Sequence, residues 1–346
     1  MMGNKAIYIY DRNHTKLDEI SFFSGLKYGW TLNDVDTCEF SLALSNNKCT
    51  EANTTYFNHV EVWDESTNTA VWGGILAGRD FEDVNLKLNC LSYEALFRWR
   101  RMRYKDYGEM TYGALTEEMV DDTNAIEDTG VSIGTITSGS IKTTRIIEET
   151  DMLLEKLKAL CADANYDWEI DLDRQYNFYL RKGSDKPHYE LIWGGDGDNI
   201  LAAPSRAEDV LSMANAVYSE TDTLDTLVED ATSQGLYGLV EGIFSANEGV
   251  SVQATLNAQA SGELQRTAYP VNTLTIAAKD SQLCPFSGII VGDSVTVKLI
   301  PYFDFSAQMR IIRMVHDEDT NTRDVTFGTC ILRPAAPTKR LYKIVG

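Results

Sequence analysis

Apolar and polar residues alternate near both ends of this chain, in two sets of three short runs. The first set is HVEVWD (His59 to Asp64), VWGGILAGRDFED (Val71 to Asp83) and NLKLNCLSYE (Asn85 to Glu94). The second is DSVTVKL (Asp293 to Leu299), QMRIIRMVHDED (Gln308 to Asp319) and RDVTFGTC (Arg323 to Cys330). Val62, Ile75 and Leu88 follow one another at steps of 13, and Val297, Ile311 and Val325 at steps of 14. A period of two marks strands with one buried face, so each set predicts a three-stranded meander. Similar spacing at the two ends predicts either a duplicated β-domain or two unrelated meanders of like size. AIYIYD (Ala6 to Asp11) and the stretch Lys27 to Leu44, with Cys38, Phe40 and Leu42 on one face, add strands to the first set.

Between the ends the period changes. Leu115, Met119 and Val120 predict a helix within 111–124, with Thr111 as its N-cap. Leu153, Leu157, Leu160, Cys161 and Ala164 form the stripe of a second helix that stops at Asn165. A hairpin turning at Asp173-Arg174-Gln175 follows, and the polar stretch 134–144 reads as a loop. Gly194 to Asn199 reads as a turn, Thr223 to Ala231 as a short helix, and Thr255 to Pro270 as a helix weakened by Gly262. The resulting expectation is an α+β, predominantly β chain: an N-terminal β-domain at 1–97, a middle α+β region at 98–220, a C-terminal β-domain at 221–330, and an extended arm at 331–346.

Composition narrows the function. The chain has 346 residues, 43% of them hydrophobic, enough for two or three domains with full cores. A net charge of −21 argues against nucleic-acid and anionic-membrane binding. No apolar run reaches the ~18 residues of a membrane span, and no signal peptide is read at the start. The six cysteines show no C-x-x-C and no shared spacing with the four histidines, which predicts free thiols made in a reducing cytoplasm and no zinc site.

Candidate chemistry is sparse. No G-x-S-x-G, H-E-x-x-H, P-loop or dinucleotide fingerprint occurs. Asp196-Gly197-Asp198 fails as a calcium loop because its twelfth position is Ala207. Asp317-Glu318-Asp319 reads as a solvated hairpin tip, with a glycosidase-like carboxylate pair as the rival reading. Two stretches are candidate interfaces. Arg98, Arg100, Arg101 and Arg103 crowd RWRRMRYK, which is either a docking patch or a solvated boundary with Trp99, Met102 and Tyr104 packed inward. Tyr302, Phe303 and Phe305 lie in an aromatic turn suited to core packing or to a subunit contact.

Several strings resemble the tail-hub (baseplate-hub) proteins of siphophages: VWGGILAGRD followed by LKLNCLSYEALFRWR, ANAVYSE (Ala214 to Glu220), YGLVEGIF (Tyr237 to Phe244) and GIIVGDSVTV (Gly288 to Val297). They occur in the family's order over roughly residues 60–330, departing from it in the basic run at 98–105 and in Gly262. The resemblance implies two tail-tube-like β-barrels flanking a middle α+β region. It also implies a homotrimeric ring with pseudo-six-fold symmetry at the phage tail tip. Its expected partners are tail-tube or distal-tail rings, the tape-measure protein and further tail-tip or fibre proteins. It implies a structural virion protein with no catalytic role, no cofactor and no metal. Because the chain ends at Gly346, no fused lytic domain is expected. A receptor- or carbohydrate-binding module is the alternative, and a cell-wall hydrolase a more distant one.

Overall fold

A computed structural model describes residues 5–142, 145–147, 150–246, 250–302 and 304–328. The arm expected at 331–346, Cys330 and Phe303 lie outside the described residues. The first seven strands are β1 (Lys5–Tyr10), β2 (Lys16–Ile20), β3 (Ser24–Thr31), β4 (Thr37–Ala43), β5 (His59–Asp64), β6 (Thr69–Glu82) and β7 (Asn85–Ser92). They pair in the order β3-β4-β7-β6-β5-β1-β2, all antiparallel. The alternation read in β4 and β7 holds: Cys38, Phe40 and Leu42 are buried over Leu86, Leu88 and Cys90.

The middle of the chain holds seven short strands: β8 (Lys105–Tyr107), β9 (Met110–Thr111), β10 (Ser132–Ile136), β11 (Ile141–Lys142), β12 (Arg145–Ile147), β13 (Asp167–Ile170) and β14 (Gln175–Tyr179). Helices α1 (Tyr112–Ile126) and α2 (Leu153–Ala164) pack among them. Both helix ends follow the sequence reading. The Thr111 hydroxyl accepts from the Ala114 N–H, and Asn165 adopts the left-handed conformation that ends α2. The stretch 134–144 is not a plain loop, because β10 joins β14 in parallel and β11 pairs with β9. β10 is exposed to half-buried without alternation and β11 is only two residues long, so no period of two marked them.

The last strands are β15 (Asp185–Trp193), β16 (Ser205–Asp209), β17 (Ala216–Glu220), β18 (Asp225–Glu229), β19 (Glu241–Ile243), β20 (Val271–Lys279), β21 (Ser294–Leu299), β22 (Phe305–Asp317) and β23 (Thr322–Phe327). Helices α3 (Ala231–Tyr237) and α4 (Gln253–Thr267) lie between them. The helix expected at 223–231 is instead β18, paired with β17, since Leu227 and Val228 serve a hairpin as well as a helical turn. The boundary expected at 220 falls inside that hairpin, where Glu220 faces Asp225. β17, β18 and β19 form a small sheet, held by the buried Asn215 amide. Asn215 donates to the Ser233 hydroxyl and the Gly238 carbonyl and accepts from the Val240 N–H.

The remaining strands of this region pair in the order β16-β20-β23-β22-β21-β15. This repeats the first set position by position, with β4, β5, β6 and β7 matched by β20, β21, β22 and β23. Phe40 faces Leu88 as Ile276 faces Val325, and Cys38 faces Cys90 as Leu274 faces Phe327. All eight residues are buried. Each set also carries a register shift at the matching place, between Leu76 and Gly78 in β6 and between Ile311 and Arg313 in β22. Two strands break the match: β2 has no counterpart, and β1 runs antiparallel to β5, whereas β15 runs parallel to β21. The two sets join through β3, which pairs with β22 from Lys27↔Asp317 to Thr31↔Arg313. The result is predominantly β, with no pairing among the described residues that closes the sheet into a barrel.

Candidate functional site

The β3–β22 seam is built from residues that the strand pattern alone leaves anonymous. Asp36, just past β3, is buried; its carboxylate accepts from the Arg313 guanidinium at 2.9 and 3.0 Å and from the Thr31 hydroxyl at 2.6 Å. The fork of Arg313 meets both carboxylate oxygens, the geometry that gives an ion pair direction as well as charge. At the other end Lys27 meets Asp317 at 3.0 Å. Between them the Tyr28 and His316 rings lie 5.2 Å apart, and the Trp72 indole of β6 donates to the Gly29 carbonyl at 2.9 Å. Leu32, which follows β3, is buried in the core of the second strand set. Trp30 packs against both cores.

Glu318 corrects the expectation of a solvated acidic tip. Its carboxylate is largely covered and lies 3.1 Å from His316 Nε2 and within 3.5 Å of the Tyr28 hydroxyl. Desolvation is the largest influence and would raise its pKa, but the His316 contact and the Lys5 charge together outweigh it and the net shift is downward. Burial, reinforced by Glu318, pushes the Tyr28 hydroxyl far up, so it stays protonated. The cluster therefore fastens the seam and does not expose a carboxylate pair to substrate.

A second joint ties all three parts together. The Asn33 amide donates to the Tyr166 carbonyl and to Asp167, and its oxygen accepts from the Trp168 N–H at 2.7 Å. Asp167 is buried and also accepts from Arg310 of β22 and from the Lys182 N–H. Asn33 comes from the first strand set, Asp167 from the middle, and Arg310 from the second set. The turn before β21 has its own anchor. Gly292 sits at φ +100°, and a Cβ there would lie 2.6 Å from the Lys182 carbonyl oxygen. The next residue, Asp293, is buried and accepts from the Ser184 and Ile290 N–H groups while pairing with Lys186 at 2.8 Å. The G-D of GIIVGDSVTV is thus the clip that sets β15 beside β21.

The candidate interface residues scatter. Arg100 donates to the Thr123 carbonyl near the end of α1, and Lys105 bridges Glu118 and Asp122 at 2.7 Å each. Arg98, Arg101 and Arg103 are exposed. Of the three hydrophobic residues read as packing inward, Met102 is buried, while Trp99 and Tyr104 are exposed; Trp99 meets Phe57 edge-on at 5.3 Å. In the aromatic turn, Tyr302 donates to the Pro204 carbonyl and meets Trp193 at 4.9 Å. Phe305 lies under the Arg206 guanidinium at 3.9 Å. Both contacts pin the start of β16. The described residues hold no cluster of three or more metal-ligating side chains, and no described helix is long and apolar enough to cross a membrane. A cleft of about 640 Å³ between the three parts is lined by Trp72, Trp168, Glu94 and Phe286 among others.

No protein-family model matches the chain, and no curated protein matches it in sequence. Solved structures do. Prophage tail protein gp18 from Listeria monocytogenes EGD-e superposes with a TM-score of 0.67 at 15% identity, over 93% of this chain and 94% of that one. The 43 kDa tail protein of prophage MuSo2 from Shewanella oneidensis gives 0.66 at 12% identity, over 94% and 97%. The E. coli c3393 protein is described as a type VI secretion component similar to the T4 phage tail proteins gp27 and gp5. It gives 0.50 at 10% identity, over 88% and 72%. The chain shares, along nearly its whole length, the fold of prophage tail proteins.

Proposed function

We propose that this chain is a structural tail-hub protein, three copies of which form a ring that continues a hexameric tail tube and frames the DNA channel. The observation that carries this reading is the duplicated strand order, joined edge to edge at the β3–β22 seam. Two like strand sets per chain and three chains present six quasi-equivalent units to a six-fold partner. In this reading each set is a tube-like module that stays an open sheet until neighbouring copies complete it. The partners are the rings above and below, the tape-measure protein and further tail-tip or fibre proteins. Arg98 and Arg103, exposed on the middle region, belong to a surface that meets them. The protein's place is the virion tail. The net charge of −21 suits a lumen that DNA crosses without sticking, with repulsion confined to about 8 Å from the wall at 0.15 M salt.

A non-catalytic role is supported by a seam whose carboxylates are committed to structural partners and by neighbours that are tail proteins. Tyr302 and Phe305 are occupied by groups of this chain, which favours the structural reading over sugar stacking. Light scattering on the purified protein tests the proposal. A mass near three times 38.7 kDa is expected. A particle that stays at one chain mass across micromolar concentrations overturns the ring.

A further inference from the structure

A cavity of about 750 Å³ lies where the first strand set meets the middle region, and two arginines line it. Arg12 sits exposed in the turn between β1 and β2, and Arg174 lies half-buried in the turn of the β13–β14 hairpin. Many cations elsewhere are spent on this chain's own acids: Arg313 on Asp36, Arg310 on Asp167, Lys105 on Glu118 and Asp122. Among the described residues, no carboxylate pairs with Arg12 or Arg174. Asp128, the acid that lines the cavity, serves its own loop, where it accepts from the Gly130 N–H at 2.8 Å. Asn124 holds that loop, donating to the Val131 carbonyl at 2.8 Å and accepting from the Thr129 hydroxyl at 2.7 Å. The Ser132 N–H donates to the Arg174 carbonyl at 3.0 Å. The Arg174 guanidinium lies over Gly130, where a Cβ would come 3.4 Å from Nη1. The walls are therefore fixed by this chain, while both guanidinium charges are left for another molecule.

Phe57, Leu96 and Val131 give the cavity apolar walls. Phe57 is 43% exposed, and so, at 48%, is Trp99, the ring it meets edge-on. Arg12 lies 5.8 Å from the Phe57 ring centroid. Phe57 also adopts φ +66°, a conformation that is costly for a bulky side chain and is kept here without burying the ring. A bare anion needs neither this volume nor these rings. Arginine and exposed aromatics together are the anchors of protein interfaces. We infer that this cavity is a docking site for an acidic segment of a partner protein. The partner's carboxylates meet Arg12 and Arg174, and one of its apolar side chains packs on Phe57 and Trp99. A guanidinium fork matches a carboxylate in its plane, and walls already in place lower the ordering cost of binding. One chain carries the whole cavity, so the docking stands or falls apart from the ring.

Fluorescence anisotropy on the full chain tests the site, with a fluorescein-labelled EFEDFE peptide and its uncharged counterpart QFQNFQ as probes. The acidic probe is expected to bind about tenfold more tightly than the uncharged one, and to weaken several-fold from 0.1 to 1 M salt. R12Q/R174Q is expected to lose about tenfold in affinity for EFEDFE, and R12Q or W99A alone several-fold. R181Q removes an exposed arginine already paired with Asp185 and is expected to bind like wild type. Circular dichroism checks the fold of each variant, and R12Q, at an exposed turn position, carries the test if the double variant loses structure. Equal binding of the two probes, or none of either, overturns the site. Undiminished binding by folded R12Q/R174Q, or by R12Q where the double variant is unfolded, overturns it as well. Displacement of EFEDFE by micromolar inorganic phosphate overturns the acidic-segment reading in favour of a phosphate site.

Discussion

Asp36 and Arg313 show how a single pair can set the relation between two strand sets. Asp36 is buried and Arg313 half-exposed, so the pair is worth less than the roughly 3–5 kcal/mol lost when a fully buried partner is removed. Arg313→Ala is expected to cost about 2 kcal/mol in urea unfolding, because it strands the Asp36 carboxylate under the seam. Two other residues give opposite pH dependences. Desolvation in the cleft lifts the Glu94 carboxyl from 4.5 to about 6. Its contribution to stability is complete below pH 4.5 and is lost as pH rises through 6. Glu94→Gln is therefore expected to be neutral at pH 4 and stabilising at pH 7. Burial, then the nearby His14 and Arg174, pushes His59 from 6.5 down to about 4. The unfolded chain takes up that proton first, so this contribution is complete above pH 6.5 and is lost as pH falls toward 4. His59→Gln is expected to flatten stability over that interval, as read from urea midpoints at stepped pH.

At the scale of elements, the packing of α2 against α4 depends on Gly262. A Cβ there would lie 2.3 Å from the Asp163 carbonyl oxygen, which no backbone tolerates without the helices parting. Gly262→Val is expected to cost about 3 kcal/mol, the upper part of the range for overpacking, measured by thermal or urea unfolding. In the sequence this glycine read only as a weak point in a helix, since propensity reports the helix and not its neighbour. The meanders were legible because each buries one face, so Leu88 and Val325 fall on a period of two. The Thr111 and Asn165 helix ends were legible because capping is local. β18 was misread because five residues, none of them buried, fit both periods. β10 was missed because its exposed and half-buried residues carry no period, and β11 because two residues are too few to show one. The seam residues Asp36, Glu318 and Asn33 could not be found from spacing, since the partners that tie them across the joints, Arg313, Tyr28 and Trp168, lie more than 100 positions away.

For the whole molecule, the sequence showed that the ends were alike but not that they were joined. The join depends on β3 leaving its own set to pair with β22, a contact between residues nearly 300 positions apart. The ring proposed above carries a prediction about mass: the trimer is expected to persist at high salt, which screens the repulsion between chains that each carry a net charge of −21. Light scattering at 0.1 and 1 M salt reads this directly, and dissociation at high salt would point to an electrostatic contact instead.

The direction of β15 carries a consequence of its own. β1 and β15 hold the same place in their strand sets yet run in opposite senses, because β15 enters from the clip at Gly292 and Asp293 while β1 begins the sheet. In a ring of three chains, the matched strands repeat six times around the circumference, but a strand of either sense at this place repeats only three times. Such a ring would work as a gear coupling, with six teeth where it meets one partner and three where it meets another. A partner that gripped the β1 or β15 rim would then bind in threes, whatever the tube on the other side counts.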